Sequence, residues 1–244
     1  MSSLEKNLME ALKLQKEIFG DDLFILKEEK EKKIPEHEIK TSEKIEKDLN
    51  KSLFQEDFQK AETLDELDSL INTCTKCDLS KSRTKFIFGV GNPQARAMLI
   101  GEAPGADEDK QGEPFVGRAG KLLNDILKAI DLTRDDVFIA NILKCRPPGN
   151  RDPLPSEMET CMPYLYKQIE LINPKIILCL GRVAANGLLN KKLSLSALRG
   201  NVYELNGIKV VVTYHPAALL RNPGWKKGCW EDVKKFKKLY DELN

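Results

Sequence analysis

The stretch Ala97-Met98-Leu99-Ile100-Gly101-Glu102-Ala103-Pro104-Gly105 decides how the fold of this chain is interpreted. Its first four residues form a short apolar run that is typical of a buried strand, and the glycines and proline that follow end the strand in a loop. Three further apolar runs at residues 137–143, 176–180 and 210–213 repeat this pattern. Between them, residues 119–130 and 156–172 carry apolar side chains at helical spacing.

Apolar strands that alternate with helices are typical of a parallel sheet covered on both faces. The sequence therefore predicts an α/β fold, a three-layer α/β/α sandwich around a central, mainly parallel four-stranded sheet. Ser156 is expected to cap the helix at 156–172, with Glu159 completing a capping box. In open α/β sheets, ligands bind outside the carboxyl ends of the strands. Functional residues are therefore expected in the loops that follow the strands.

The N-terminal part of the chain differs from the rest in charge. Residues 1–70 carry 12 Lys and Arg against 19 Asp and Glu, a net charge of −7, while residues 71–244 carry 27 against 19, a net charge of +8. From residue 27 to 51, 16 of 25 residues are charged, which is too polar for a core. We expect a helical or partly disordered extension at 1–60 and the main domain at 61–244, whose basic surface suits an anionic partner.

Membrane insertion and secretion are not expected for this sequence. The apolar runs at 176–180 and 210–212 are far shorter than the ~20 residues that span a bilayer. The charged N-terminus also lacks the apolar core of a signal peptide. The sequence predicts a cytoplasmic protein without membrane contact.

Four of the six cysteines have a spacing that indicates a metal site. Cys74 and Cys77 form a Cys-x2-Cys pair, and Cys145 and Cys161 lie in later loops. In a protein that is not secreted, such a set favours metal binding over disulfides. Zinc and an iron–sulfur cluster both accept four thiolates, so the spacing leaves both open. The alternative is four unremarkable free thiols.

Four residues at or after strand ends suit a planar ligand that carries amide groups. Gly101 allows close approach of the backbone, Phe115 offers a stacking face, and Asn141 and His215 offer hydrogen bonds. Three of them have a plainer interpretation, because Phe115 and His215 could belong to the core and Asn141 could cap a turn. Their convergence on strand ends beside basic loops favours a binding site.

Five motifs together resemble the family 4 uracil-DNA glycosylases, which are iron–sulfur members of the uracil-DNA glycosylase superfamily. They are Gly101-Glu102-Ala103-Pro104-Gly105, Pro114-Phe115-Val116-Gly117, Lys144-Cys145-Arg146-Pro147-Pro148, the four-cysteine spacing, and His215-Pro216-Ala217-Ala218-Leu219-Leu220-Arg221. The resemblance covers about residues 70–240. It implies an enzyme that flips uracil out of single- or double-stranded DNA, hydrolyses its N-glycosidic bond and leaves an abasic site. A monomer is expected.

The resemblance also implies a role for each residue of these motifs. Phe115 would stack on uracil, Asn141 would read its N3–H and O4, and His215 would hydrogen-bond O2, with Gly101, Ala103 and Glu108 completing the pocket. Catalysis would rest on His215 and on Glu102, with Asn150 as a further candidate. Lys144, Arg146, Arg151, Leu219, Leu220 and Arg221 would contact DNA, and Cys74, Cys77, Cys145 and Cys161 would hold a 4Fe–4S cluster, with zinc as the alternative.

This sequence departs from the superfamily at two positions. Ala103 stands where the best-studied branch has an aspartate. Glu102 is therefore the first candidate for stabilising the sugar cation or positioning the water, and Asn150 and Glu108 are the other candidates for this role. Gly105 stands where other members have a tyrosine against thymine, so Glu108 is the candidate for excluding thymine. The rival hypothesis is a metal-stabilised nucleic-acid-binding protein without catalysis.

Overall fold

The computed structural model describes residues 56–243, which form a six-stranded sheet covered by helices on both faces. The strands are β1 (Val90–Gly91), β2 (Ala97–Gly101), β3 (Val137–Asn141), β4 (Ile176–Leu180), β5 (Val202–Leu205) and β6 (Ile208–Thr213). The sheet order is β1-β3-β2-β4-β6-β5. The predicted α/β fold with a mainly parallel sheet is confirmed.

The four central strands correspond to the four apolar runs of the sequence. Strands β3, β2, β4 and β6 are parallel, and β2, β3 and β4 are buried along their whole length. The predicted strand count was wrong, because β1 and β5 add antiparallel edges. Strand β1 has only two residues, and β5 exposes part of its surface, so neither carries the continuous apolar run of a buried strand.

The helices divide between the two faces of the sheet. In chain order they are α1 (Leu64–Ile71), α2 (Ala106–Gln111), α3 (Arg118–Lys128), α4 (Pro155–Ile172), α5 (Arg182–Leu189), α6 (Leu195–Leu198), α7 (Pro216–Arg221) and α8 (Lys226–Glu242). Helices α1, α4 and α5 share one core cluster with Met98 and Ile100, while α3 and α8 share the other with Ala97 and Leu99. Alternate residues of β2 therefore serve opposite cores, which produces the predicted three layers.

Helix α4 begins in a different way from the prediction. Its N-cap is Leu154, and the Glu157 carboxylate accepts the Leu154 backbone N–H at 2.8 Å. The predicted cap at Ser156 with Glu159 was wrong, because Pro155 occupies the first helical position, where its fixed φ and missing N–H are tolerated. Ser156 already lies in the first turn.

The N-terminal side of the described fold is anchored by Phe58, whose ring packs edge-on against Tyr164 with centroids 4.8 Å apart. The predicted extension lies almost entirely outside residues 56–243, so the division at residue 60 stays a prediction. Within the described residues, no helix is long and apolar enough to cross a membrane.

Candidate active site

The carboxyl ends of the parallel strands bring the predicted pocket residues together. The register pairs Gly101 with Asn141 at the ends of β2 and β3. His215 follows β6 by two residues, and Phe115 lies in the loop between α2 and α3. The Phe115 and His215 rings lie with centroids 5.5 Å apart and planes tilted by 32°.

Gly101 is required by the close approach of two of these side chains. A Cβ built at this position would lie 2.3 Å from Asn141 Oδ1 and 2.7 Å from Phe115 Cζ. Both distances are shorter than any real carbon contact, so a larger residue would displace the amide or the ring. Gly101 thus allows Phe115 and Asn141 to share one small space.

Asn141 carries an unsatisfied acceptor. The residue is buried at the end of β3, and among the described residues its Oδ1 has no hydrogen-bond partner. A buried polar atom without a partner costs ~1–3 kcal/mol and is rare in folded proteins. The amide therefore suits a ligand that supplies an N–H donor.

The loop that carries Phe115 is held from two sides. Arg134 donates hydrogen bonds to the Pro114 and Phe115 carbonyl oxygens at 2.8 and 3.2 Å, and Phe115 itself has a φ of 55°. Glu108 accepts the backbone N–H groups of Gly105, Val116 and Gly117 at 2.9–3.2 Å. Glu108 therefore positions the loop, and its predicted contact with substrate stays a prediction. Sequence reasoning missed Arg134.

His215 presents a neutral imidazole of defined tautomer. Its Nδ1 accepts the Ala217 backbone N–H at 3.2 Å, which leaves the proton on Nε2. Burial, reinforced by the positive charge of Arg221, lowers the pKa of His215 to about 4. At neutral pH the side chain can therefore donate one hydrogen bond from Nε2 without carrying a charge.

Glu102 directly follows β2 and has an unusual carboxyl group. Burial raises the pKa of Glu102 to about 7, with a further increase from Asp152 and an opposing effect of Arg182. Arg182 and Asp152 also pair with each other at 3.5 Å. A carboxyl group that titrates near neutrality beside a pocket is a candidate general base. The sequence signal for Arg182 was its position directly after Gly181 at the end of β4.

Ala103 and Asn150 contribute less than their neighbours. Ala103 is half-buried against the core. Asn150 lies on an exposed turn, where its Oδ1 accepts a hydrogen bond from Arg146 Nε at 2.8 Å. The amide oxygen that would orient a water is thus already engaged.

Two of the predicted DNA contacts were wrong. Lys144 is fully buried, and its Nζ donates to the Asn141 carbonyl oxygen at 2.9 Å and to Gln168 Oε1 at 2.5 Å. Leu219 is 1% exposed and packs in the core. Leu220 is 44% exposed and Arg221 is exposed, so both remain available. Arg151 is exposed and forms a bidentate pair with Glu157 at 2.6 and 2.9 Å.

The four predicted cysteines lie in one neighbourhood lined with hydrogen-bond donors. Arg83 donates to Cys145 Sγ at 3.1 Å, Tyr164 to Cys74 Sγ at 3.2 Å, and the Lys144 backbone N–H to Cys161 Sγ at 3.4 Å. Cys179 and Cys229 are buried elsewhere in the core. Among residues 56–243, no three His, Cys, Asp or Glu side chains are arranged closely enough to hold a single metal ion.

Known proteins are similar to this chain in sequence. The sequence model of the uracil DNA glycosylase superfamily matches residues 88–243, which include every strand and all the pocket residues. The type-4 uracil-DNA glycosylase of Archaeoglobus fulgidus is 48% identical over 73% of this chain and 94% of its own length. The type-4 enzyme of Sulfurisphaera tokodaii is 46% identical over 73% of this chain and 85% of its own length. That of Thermotoga maritima is 42% identical over 74% of this chain and 96% of its own length.

The match over residues 88–243 defines the class of the protein as the uracil DNA glycosylase superfamily. Within that class, the chain belongs to the type-4 uracil-DNA glycosylases.

Proposed function

We propose that this protein is a DNA-repair enzyme that flips uracil out of DNA and hydrolyses its N-glycosidic bond, releasing free uracil and leaving an abasic site. The observation that carries the proposal is the buried, unpartnered Oδ1 of Asn141 between Phe115 and Gly101. The type-4 relatives are named for the same activity.

Uracil is read by Asn141 and Phe115. The Asn141 Oδ1 accepts the uracil N3–H, and its Nδ2 donates to O4. Cytosine presents an acceptor at N3 and a donor at the exocyclic nitrogen, so both pairs become mismatched and buried. Phe115 stacks on the ring, an interaction worth ~1–3 kcal/mol per base.

His215 stabilises the charge that develops on the departing base. Its Nε2–H donates to uracil O2 as the bond between N1 and C1′ breaks and the electron pair moves onto uracil. Because the imidazole is neutral and preorganised by Ala217, the donor needs no rearrangement during the reaction.

Glu102 deprotonates the water that attacks the sugar. As the oxocarbenium character grows at C1′, the water oxygen adds to C1′ and the Glu102 carboxylate takes the proton. A pKa near 7 keeps this carboxylate basic enough for proton transfer while about half of it is ionised at neutral pH.

Cys74, Cys77, Cys145 and Cys161 hold a 4Fe–4S cluster, with zinc as the alternative. The surroundings suit thiolate ligands of either group, because the Arg83 guanidinium, the Tyr164 hydroxyl and the Lys144 N–H would stabilise thiolate charge. To hold a single zinc ion, the described side chains would have to move closer together. With a cluster bound, Cys145 would tie its loop to residues 74–77. Visible absorbance that dithionite bleaches supports iron–sulfur, whereas a colourless protein with one zinc per chain supports zinc.

The protein binds DNA as a cytoplasmic monomer through basic side chains at its surface. Leu220 fills the gap left by the flipped base, and Arg146, Arg151 and Arg221 contact phosphates. Light scattering tests the monomer, and comparison of uracil release from single and double strands tests strand preference.

The predicted extension at residues 1–60 is expected to be dispensable for excision as far as residue 55. Deleting residues 1–55 is expected to preserve uracil release. Because these residues carry 11 Lys and Arg against 13 Asp and Glu, the deletion removes a net charge of only −2 and should tighten non-specific DNA binding at low salt slightly. Phe58 must be kept, since it packs against Tyr164.

The decisive experiment measures free uracil from a uracil-containing oligonucleotide under single-turnover conditions, followed by alkaline cleavage at the abasic site. His215→Ala is expected to lower the rate ~100- to 1,000-fold, with Lys121→Ala on the exposed face of α3 as a matched control. DNA binding without uracil release by protein that retains its metal would favour the rival non-catalytic function.

A further inference from the structure

Beside the pocket, three side chains form a stacked column. The Tyr214 and Trp225 rings are stacked, with centroids 5.2 Å apart and an angle of 22° between their planes. The Arg199 guanidinium lies over the Tyr214 ring, 4.0 Å from its centroid. Tyr214 directly precedes His215 in the chain. The column therefore begins one residue from the group that is proposed to stabilise the departing base.

The inner end of this column is rigidly held. Arg199 donates through Nε to Asp232 Oδ2, through Nη1 to Tyr214 Oη and through Nη2 to the Gly228 carbonyl oxygen, each at 2.6 Å. Asp232 is buried and also accepts from Thr213 Oγ1 at 2.9 Å. An aromatic surface fixed in this way loses little conformational entropy when a ligand stacks on it.

The outer end of the column is open to solvent and lies in a basic surrounding. Trp225 is 44% exposed, as is Leu220 on the same segment after His215. Arg221 is exposed, and its charge acts on His215, which locates it near the pocket. Lys226 follows Trp225 directly. An exposed indole flanked by cations matches the chemistry of single-stranded nucleic acid, whose bases stack while its phosphates pair with positive charge.

We propose that the exposed face of Trp225 is a subsite for an unpaired nucleobase of the substrate strand, adjacent to the flipped nucleotide. The inference rests on the proposed function, because it assumes that the same strand enters the pocket. Stacking on an indole does not depend on base identity, so the subsite favours any locally unpaired strand over a continuous duplex.

The chain provides its own spectroscopic probe for this subsite. Trp225 is one of two tryptophans, and the other, Trp230, is buried. Titration with undamaged single-stranded oligothymidylate is expected to quench the fluorescence of Trp225, and Trp225→Phe is expected to remove most of the quenching while keeping the affinity. Trp225→Ala should weaken binding about 5- to 150-fold, the range that corresponds to the loss of one base stack. Tyr166→Ala, which removes another exposed aromatic ring, is the matched control and should bind normally.

The position of the stacked base is found with oligonucleotides that carry one abasic site at each position in turn. Loss of quenching at a single position supports the subsite. Equal quenching by a fully abasic strand, or unchanged affinity and quenching in Trp225→Ala, overturns it. Because undamaged DNA is used, this result is independent of uracil release. A catalytically inactive protein can still pass the test, and an active one can fail it.

Discussion

The loops that follow β3 and β6 look alike in sequence but differ in structure. Each leaves a buried strand, carries one polar pocket residue and continues into a basic residue, Lys144 in one case and Arg221 in the other. The loop after β3 turns inward, so that Lys144 is fully buried beneath Asn141. The loop after β6 turns outward and exposes Leu220 and Arg221. One loop supports the pocket from below, and the other exposes the side chains that are proposed to contact DNA.

Because it is buried, Lys144 has a structural role inside the fold instead of the DNA contact that its positive charge suggested. Its ammonium joins the carbonyl oxygen of Asn141 to Gln168, which in turn donates to the Phe88 carbonyl oxygen at 2.9 Å. Its backbone N–H contacts Cys161 Sγ. Lys144 thus lies between the four cysteines and the amide that is proposed to read uracil, and it connects the predicted metal site to the pocket.

Adjacent leucines on α7 test the comparison most strongly. Leu219→Ala removes a fully buried side chain and is expected to lower the free energy of unfolding by ~2–5 kcal/mol. Leu220→Ala removes an exposed one and should change it by no more than about 0.5 kcal/mol. Denaturant unfolding measures both values.

The excision rates of the same two variants should show the opposite order. Leu220→Ala is expected to slow uracil release from duplex DNA more than from single strands, because the wedge fills a gap that only a duplex has. At a temperature where it is folded, Leu219→Ala should react normally. A stable Leu219→Ala variant with slow excision would reverse the assignment.

Replacing Lys144 is expected to have the next largest effect. Lys144→Met leaves the Asn141 carbonyl oxygen and Gln168 Oε1 without their donor, and each buried unsatisfied group costs ~1–3 kcal/mol. Both the thermal midpoint and the apparent affinity for uracil should fall, since Asn141 loses its support. Arg221→Met is the matched variant at the exposed loop and should keep the wild-type midpoint. Equal midpoints in the two variants would mean that the burial of Lys144 has no consequence.

An assignment could be predicted from the sequence when it depends on neighbouring residues, and not when it depends on packing between distant parts of the chain. The four central strands followed from continuous apolar runs, which need no knowledge of the rest of the chain. Leu219 and Leu220 could not be told apart, because α7 has only six residues and a single step along a helix rotates a side chain by about 100°. Its orientation is set by packing against the other elements.

The two side chains that hold the Phe115 loop, Glu108 and Arg134, differ in whether a local sequence pattern indicated their role. Glu108 lies three residues after Gly105, a spacing that fits a capping box, so its loop-holding role had a local indication. Arg134 had none, because the carbonyl oxygens that it holds are 19 and 20 residues away in sequence.

The carboxyl group of Glu102, at the end of β2, predicts a pH effect of intermediate size. Its pKa is raised to about 7, so the ionised base forms as pH rises through 7, and kcat/KM should increase about tenfold between pH 6 and pH 8. His215 adds no step above pH 5, because its pKa is about 4. Glu102→Gln should be slow and should lose the step. A step that persists in Glu102→Gln would assign the titration to another group.

The smallest expected effect is on the salt dependence of DNA binding. It should differ between the loop after β3, which carries Lys144, and the loop after β6, which carries Arg221. Each phosphate contact adds about 0.9 to the slope of log K against log salt concentration for duplex DNA, and about 0.7 for single strands. Arg221→Met should therefore reduce the slope by somewhat less than one unit, whereas Lys144→Met should leave it unchanged, because a buried ammonium displaces no counterion from DNA. Binding to undamaged oligonucleotides across a salt series measures both slopes without reference to catalysis. A reduced slope in Lys144→Met would require that the loop after β3 opens when DNA binds, so that its lysine reaches a phosphate after all.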